Sequence, residues 1–375
     1  MKKTIQRTLV ALAAIAISGT ALADITIGVN LSLTGPGAAL GLPMQAMMKV
    51  FPQSIGGEKV NVIVLDDASD PGKAAQNARR FVNQDKVDVI FGANLTPTTV
   101  AIGPIATEAK TVQISGAPGK DGPWVFILPQ GFNVMAHAMM QHMKAKGIKT
   151  LGFIGYADAY GEGWLKAMDP MLKEANIKMV DVERFARTDT SVTPQALKLV
   201  SANPDAILVV ASGSIAPMPE IALRDRGYKG LMYQTHGAAS PDLMRIGGKA
   251  VEGTFVVSGP AIFADKLADS HPSKQASMDF AKRFKEATGT DKLTPFAAHA
   301  YDFMVVMEKA IPMALKKAKP GTEAFRQALL DTLNTMGRTV ISHGVMNWSP
   351  SDHWGYTNET GVMVMVKNGA FEVLK

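Results

Sequence analysis

Short apolar runs alternate along the chain with longer stretches whose apolar positions recur every three to four residues. Residues 25–33 (ITIGVNLSL) read as a strand, 37–50 as a helix, and 60–65 (VNVIVL) as a strand again. Asp70-Pro71 opens a helix, with Asp as its N-cap and Pro at its first position, that runs to about residue 84. A strand at 87–91, a helix at 98–109 and a strand at 112–115 complete a first series. The second begins with a helix over 133–146 closed by Gly147. Strands at 150–154, 178–184 and 206–210 then alternate with helices at 161–175, 194–202 and 219–226, before short strands at 232–234 and 254–257. Two long helices follow (273–288 and 297–318), then a shorter one (322–333) and β-like pieces at 345–348, 362–367 and 371–374. Asn368-Gly369 is a hairpin turn signal between the last two.

Strand–helix alternation implies parallel sheets with helices on both faces. The expected fold class is therefore α/β, with two doubly wound lobes around parallel central sheets joined by a hinge. An N-terminal lobe is expected from 24–127 plus 260–342, and a C-terminal lobe from 128–259 plus 343–375. Length agrees, because 375 residues exceed the roughly 250–300 at which one core stops growing.

Residues 1–23 are expected to lie outside the fold. Lys2, Lys3 and Arg7 precede an apolar stretch over 9–17, and Ala21-Leu22-Ala23 is a small-residue cleavage pattern, together a secretory signal peptide ending before Asp24. The apolar stretch is shorter than the roughly 20 residues of a spanning helix, and an integral membrane protein is not expected. The sequence has no cysteine, which excludes disulfides, thiolate metal ligands, a Cys nucleophile and a lipid-bearing Cys after the cleavage pattern. The net charge is +6, and three of those charges sit in the signal peptide. The remaining excess is too small and too scattered to argue for nucleic acid.

Ligands of parallel sheets bind beyond the carboxyl ends of the strands. In the first series those ends lead into Thr34-Gly35-Pro36-Gly37, into Gly92-Ala93-Asn94-Leu95-Thr96-Pro97-Thr98-Thr99, and into Ser115-Gly116-Ala117-Pro118-Gly119. Free N–H groups and hydroxyls in three such loops on one sheet edge make a small-anion site. In the second series Tyr160 precedes a helix, Ser212 and Ser214 follow a strand, and His236 stands beside Gly237.

The opening ITIGVNLSLTGPGAALG resembles that of type I periplasmic solute-binding proteins of the leucine/isoleucine/valine-binding family. So do DDASDPGKAAQNARRFVNQDKVDVIFGANLTPTT, AYGEGW, the AYDFMVVMEKAI helix and NWSPSDHWG, in the same order and spacing across the mature chain. The resemblance implies a periplasmic, monomeric receptor that closes over a small molecule and delivers it to the permease subunits of an ABC transporter, with no cofactor or metal. It matches the family's carboxylate-binding loop to Leu95, Thr96 and Thr98, and its second loop to Ser115, Gly116 and Ala117. Leu40, Tyr160 and Phe296 match apolar and aromatic positions around the ligand body.

One departure bears on specificity. Amino-acid binders of the family place an acidic residue where this chain has His236, and the family's aromatic in the 212–215 loop is absent. A buried ammonium without a charged partner costs several kcal/mol. A small carboxylate without an amine is thus expected, an aromatic acid or a branched 2-oxo acid, with His236 toward a distal oxygen. Branched-chain amino-acid binding and a ligand sensor of the same fold remain the alternatives. An enzyme is not expected, because the chain has neither a G-x-S-x-G elbow nor an H-E-x-x-H pair. His137 with His142, and His343 with His353 around Trp348, fit no metal spacing.

Overall fold

The computed structural model describes residues 24–374; the expected signal peptide lies outside them. The first half forms β1 (Ile25–Leu31), α1 (Ala38–Met48), β2 (Ser54–Ile55), β3 (Glu58–Asp66), α2 (Pro71–Asn83), β4 (Val89–Gly92), α3 (Thr96–Glu108), β5 (Val112–Ser115) and β6 (Val125–Ile127). Their sheet runs in the order β2-β3-β1-β4-β5-β6 and is parallel except for the short edge pairing of β2 with β3. The residues between β1 and β4 in sequence lead to β3 on one side of β1, and the rest of the series lies on the other. The β1–β4 boundary is therefore the point where strand order reverses and a crevice opens.

The second half repeats the plan with α4 (Phe132–Ala145), β7 (Thr150–Tyr156), α5 (Ala159–Glu174), β8 (Lys178–Phe185), α6 (Thr193–Ala202), β9 (Ala206–Val210), α7 (Pro217–Asp225), β10 (Leu231–Gln234), α8 (Pro241–Gly247) and β11 (Phe255–Ser258). The rest of the chain forms α9 (Lys274–Thr288), α10 (Pro295–Leu315), α11 (Glu323–Thr335), β12 (Thr339–Ile341), β13 (Gly344–Met346), β14 (Val362–Lys367) and β15 (Ala370–Val373). The second sheet runs β15-β14-β11-β10-β9-β7-β8, with the final hairpin added antiparallel to β11. Its reversal point lies between β7 and β9.

Each sheet is covered on its own terms. Phe303 of α10 stacks on Phe91 of β4 with ring centroids 4.4 Å apart, joining the late helices to the first core. Met135, Met139 and Met143 of α4 and Trp164 of α5 fill the second. Local signals hold at the caps: Asp70 accepts from Lys73 N at 2.7 Å, and Thr294 accepts from Ala297 N at 3.2 Å at the head of α10.

Residues 343–356, expected with the second lobe, pack on the first instead. The buried Asp302 carboxylate accepts from the N–H groups of Ser342 and His343 and pairs with His343 Nδ1 at 2.7 Å. Trp348 packs on Phe126, and Tyr356 donates to the Leu128 carbonyl at 2.7 Å. The chain therefore crosses back only between Tyr356 and β14, and the expected strand over 345–348 is the β12–β13 pairing.

Candidate functional site

The loops after β1 and β4 are tied together before any ligand is considered. The buried Asp67 carboxylate accepts from Asn30 Nδ2 and Ser32 Oγ, both at 2.6 Å, and burial raises its pKa while these donors lower it. Ser32 N donates to Asn94 Oδ1 at 2.7 Å, so Asn94 fixes the entry to α3 against the first loop. At that entry Leu95 occupies the N-cap and supplies no side-chain acceptor. The first N–H groups of α3 thus keep the free, partly positive character of an uncapped helix start. Thr96 Oγ1 stands there, buried and without a hydrogen-bond partner.

These groups face a small cleft between the two sets of strand ends. The first lobe lines it with Leu40, the 94–96 and 116–118 loops, and Phe296 and His299 of α10. The second lobe supplies Tyr160 after β7, Arg187 after β8, Ser212 after β9, and His236 and Gly237 after β10. The lobes meet at the rim: a Cβ on Gly213 would lie 2.7 Å from Leu40 Cδ1. The cavity volume is about 20 Å³, little more than one water needs.

Eight of the residues singled out from sequence line this space: Leu40, Leu95, Thr96, Gly116, Ala117, Tyr160, His236 and Phe296. Three do not. Thr98 turns its hydroxyl back to the Leu95 carbonyl at 3.1 Å. Ser115 Oγ bonds the Ala117 carbonyl and Thr99 Oγ1, which shapes the second loop from behind. Ser214 sits one residue beyond a Gly213 held at φ +59°, and Ser212 takes the cleft position instead.

The aromatic and imidazole groups are neutral. Tyr160 donates to or accepts from Thr235 Oγ1 at 2.8 Å, and burial pushes its pKa up to about 12. Burial pulls His236 down to about 4, with the nearby His343 adding to the shift. His299 is lowered well below its ordinary value, by burial first and then by His343 and His236. Nδ1 of His236 and Nδ1 of His299 are both buried without a partner.

Arg187, two residues past the end of β8, is absent from the residues expected from sequence, although the rule that singles out Tyr160 and His236, residues just past a strand end, selects it too. Its Nε donates to Asp158 Oδ2 at 2.6 Å, its Nη1 to Ser212 Oγ at 3.2 Å, and its guanidinium lies 3.9 Å from the Tyr156 ring centroid. Asp158 is fully engaged, since Oδ1 also caps α5 through Tyr160 N at 2.8 Å. No Asp or Glu is among the described lining residues. His299 had a signal too: it follows Phe296 by three residues, which puts both on one helix face.

Two further histidines, His142 and His353, are held in contacts away from the cleft. His142 Nδ1 pairs with the Tyr233 hydroxyl at 2.9 Å, and His353 lies between the Gly122 carbonyl and Asn334. Among the described residues no group of three His, Asp or Glu side chains could hold a metal ion. A larger open groove of about 800 Å³ lies between α8, the 260–266 turns, α9 and the last hairpin. None of its lining residues carries a buried polar atom without a partner, so volume alone does not make it the site.

Two doubly wound lobes that close their strand ends over a small cleft define a type I solute receptor. The family model for periplasmic binding proteins matches residues 24–369, and the chain belongs to that family. The Leu/Ile/Val-binding protein homolog 1 of Brucella suis biovar 1 is 28% identical over 283 residues, spanning 69% of this chain and 73% of that protein. An extracellular ligand-binding receptor from Rhodopseudomonas palustris superimposes with a TM-score of 0.92 at 44% identity, covering 94% of this chain and 99% of its own. A solute-binding protein from R. palustris, solved in complex with benzoate, shares the fold with a TM-score of 0.79 at 17% identity, covering 94% and 96%. Among the described residues no helix is long and apolar enough to cross a membrane.

Proposed function

We propose that this protein is the periplasmic receptor of an ABC uptake transporter and that it binds a small carboxylate lacking an amine, an aromatic acid or a branched 2-oxo acid. One observation carries the reading: the partnerless Thr96 hydroxyl stands at the uncapped start of α3, in a cleft with no Asp or Glu among its described lining residues. A carboxylate gains charge-assisted hydrogen bonds there, each about 1.5–3 kcal/mol. An α-ammonium meets neutral imidazoles and a guanidinium, with Asp158 already paired. Leu40, Tyr160 and Phe296 flank the apolar body, and His236 is oriented to a distal oxygen. The ligand draws the lobes together because it touches both, so the closed form it favours is the one the permease reads.

A thermal-shift screen of the purified protein tests this. Benzoate-type acids and branched 2-oxo acids are expected to raise the melting temperature, and α-amino acids to leave it unchanged. Stabilisation by leucine or valine together with silence from every simple acid would overturn the reading.

A further inference from the structure

The second-lobe wall holds more hydrogen-bonding capacity than a simple acid uses. Arg187 carries five N–H donors. One goes to Asp158 and one to Ser212, and the rest have no side-chain partner among the described residues. The side chain is only 13% exposed, so water does not fully serve those donors. His236 adds a buried Nδ1 without a partner on the same wall. A ligand that fills the cleft strips the remaining water from the Arg187 donors, and donors it leaves unmet then carry the cost of desolvation. A ligand whose far end is hydrocarbon would leave them stranded, whereas one ending in an oxygen would serve both.

The charge state decides which oxygen. Asp158 neutralises Arg187 at 2.6 Å, and burial keeps His236 neutral. The wall therefore offers directed donors without net positive charge, which suits a hydroxyl or carbonyl oxygen better than a second carboxylate. The Tyr156 ring beneath the guanidinium and Ser212 beside it hold the donors in a fixed plane.

Resting on the carboxylate reading above, we propose that the cleft selects acids with a second, neutral oxygen function remote from the carboxylate, and that Arg187 is the residue that reads it. The first lobe takes the charged end and the second lobe takes the neutral polar end. Specificity of this kind is strong because an analogue lacking the oxygen leaves site donors unmet.

Calorimetric titration of matched pairs tests the proposal: benzoate against 4-hydroxybenzoate, and 4-methylpentanoate against 4-oxopentanoate. In the wild-type protein the oxygenated member of at least one pair is expected to bind at least tenfold tighter. Arg187→Met should reduce that ratio below threefold. Because this change leaves Asp158 unpaired, Arg187→Met combined with Asp158→Asn is measured alongside; Asn still caps α5. Equal affinities within both pairs, or a ratio that survives in the double variant, overturns the proposal. Terephthalate binding tighter than 4-hydroxybenzoate overturns the assignment to a neutral oxygen. Failure of every acid to bind overturns the carboxylate reading itself, and this inference with it.

Discussion

The two walls of the cleft solve recognition differently. The first lobe works with backbone and a hydroxyl: an uncapped helix start, Thr96, and loops pinned by Asn94 and Asp67. The second works with side chains that are themselves partnered, as in Arg187 on Asp158 and Tyr160 on Thr235. A wall of helix-terminal N–H groups can hold an anion whatever its body. A wall of side chains can be retuned one residue at a time. On this reading charge is gripped by backbone and a hydroxyl on one lobe, and selectivity sits in the side chains opposite.

That contrast can be broken first at the rim where the walls meet. Gly213→Val places a β-branched side chain at φ +59° and against Leu40. Strain and overpacking together should cost roughly 3 kcal/mol or more, about a hundredfold in affinity for every ligand. Leu40→Ala in the same chain should recover part of it. Small-angle scattering with and without ligand would report the lost closure directly.

Acid stability probes the second wall next. His236 has a folded pKa of about 4, below the ordinary 6.5. Above pH 6.5 neither state is protonated there. As pH falls from 6.5 to 4 the unfolded chain takes up a proton that the folded chain refuses, and stability is lost. The loss from this residue is about 3 kcal/mol, on the order of two to three units of pKa difference. His236→Asn should remove it, seen as a flatter melting temperature between pH 6.5 and 4.

Smaller effects separate the walls further. Thr96→Val should weaken all carboxylates by about 1.5–3 kcal/mol, roughly 10–100-fold, without changing their order of preference. Tyr160→Phe removes the bond to Thr235 and should cost about 0.5–1.5 kcal/mol, mostly through looser closure. Titration calorimetry across one panel of acids distinguishes the uniform loss from a selective one.

Much of the fold is legible in hydrophobic periodicity because its central strands β4, β5, β9 and β11 are buried on both faces and helices such as α5 and α10 are long. The short pieces are not: β2 and β6 span two and three residues, too few for any period. The placement of 343–356 depends on Asp302 and Phe126, partners far away in sequence. At the site, loops after strand ends were readable as a class. What escaped was the direction of a hydroxyl: Thr98 and Ser115 look like ligand groups in sequence, yet local turns use them first. Arg187 sits in an ordinary segment, Phe185-Ala186-Arg187-Thr188, and the Tyr156 ring, Asp158 and Ser212, all distant in sequence, hold it at the cleft.

The central claim is that nothing in this cleft receives an amine. Leucine and 4-methyl-2-oxopentanoate differ only in the group at carbon 2, so titrating both into one preparation isolates that term. The account predicts that the oxo acid binds at least a hundredfold tighter, a gap of about 3 kcal/mol. Leucine binding as tightly as its oxo analogue, or tighter, would contradict it.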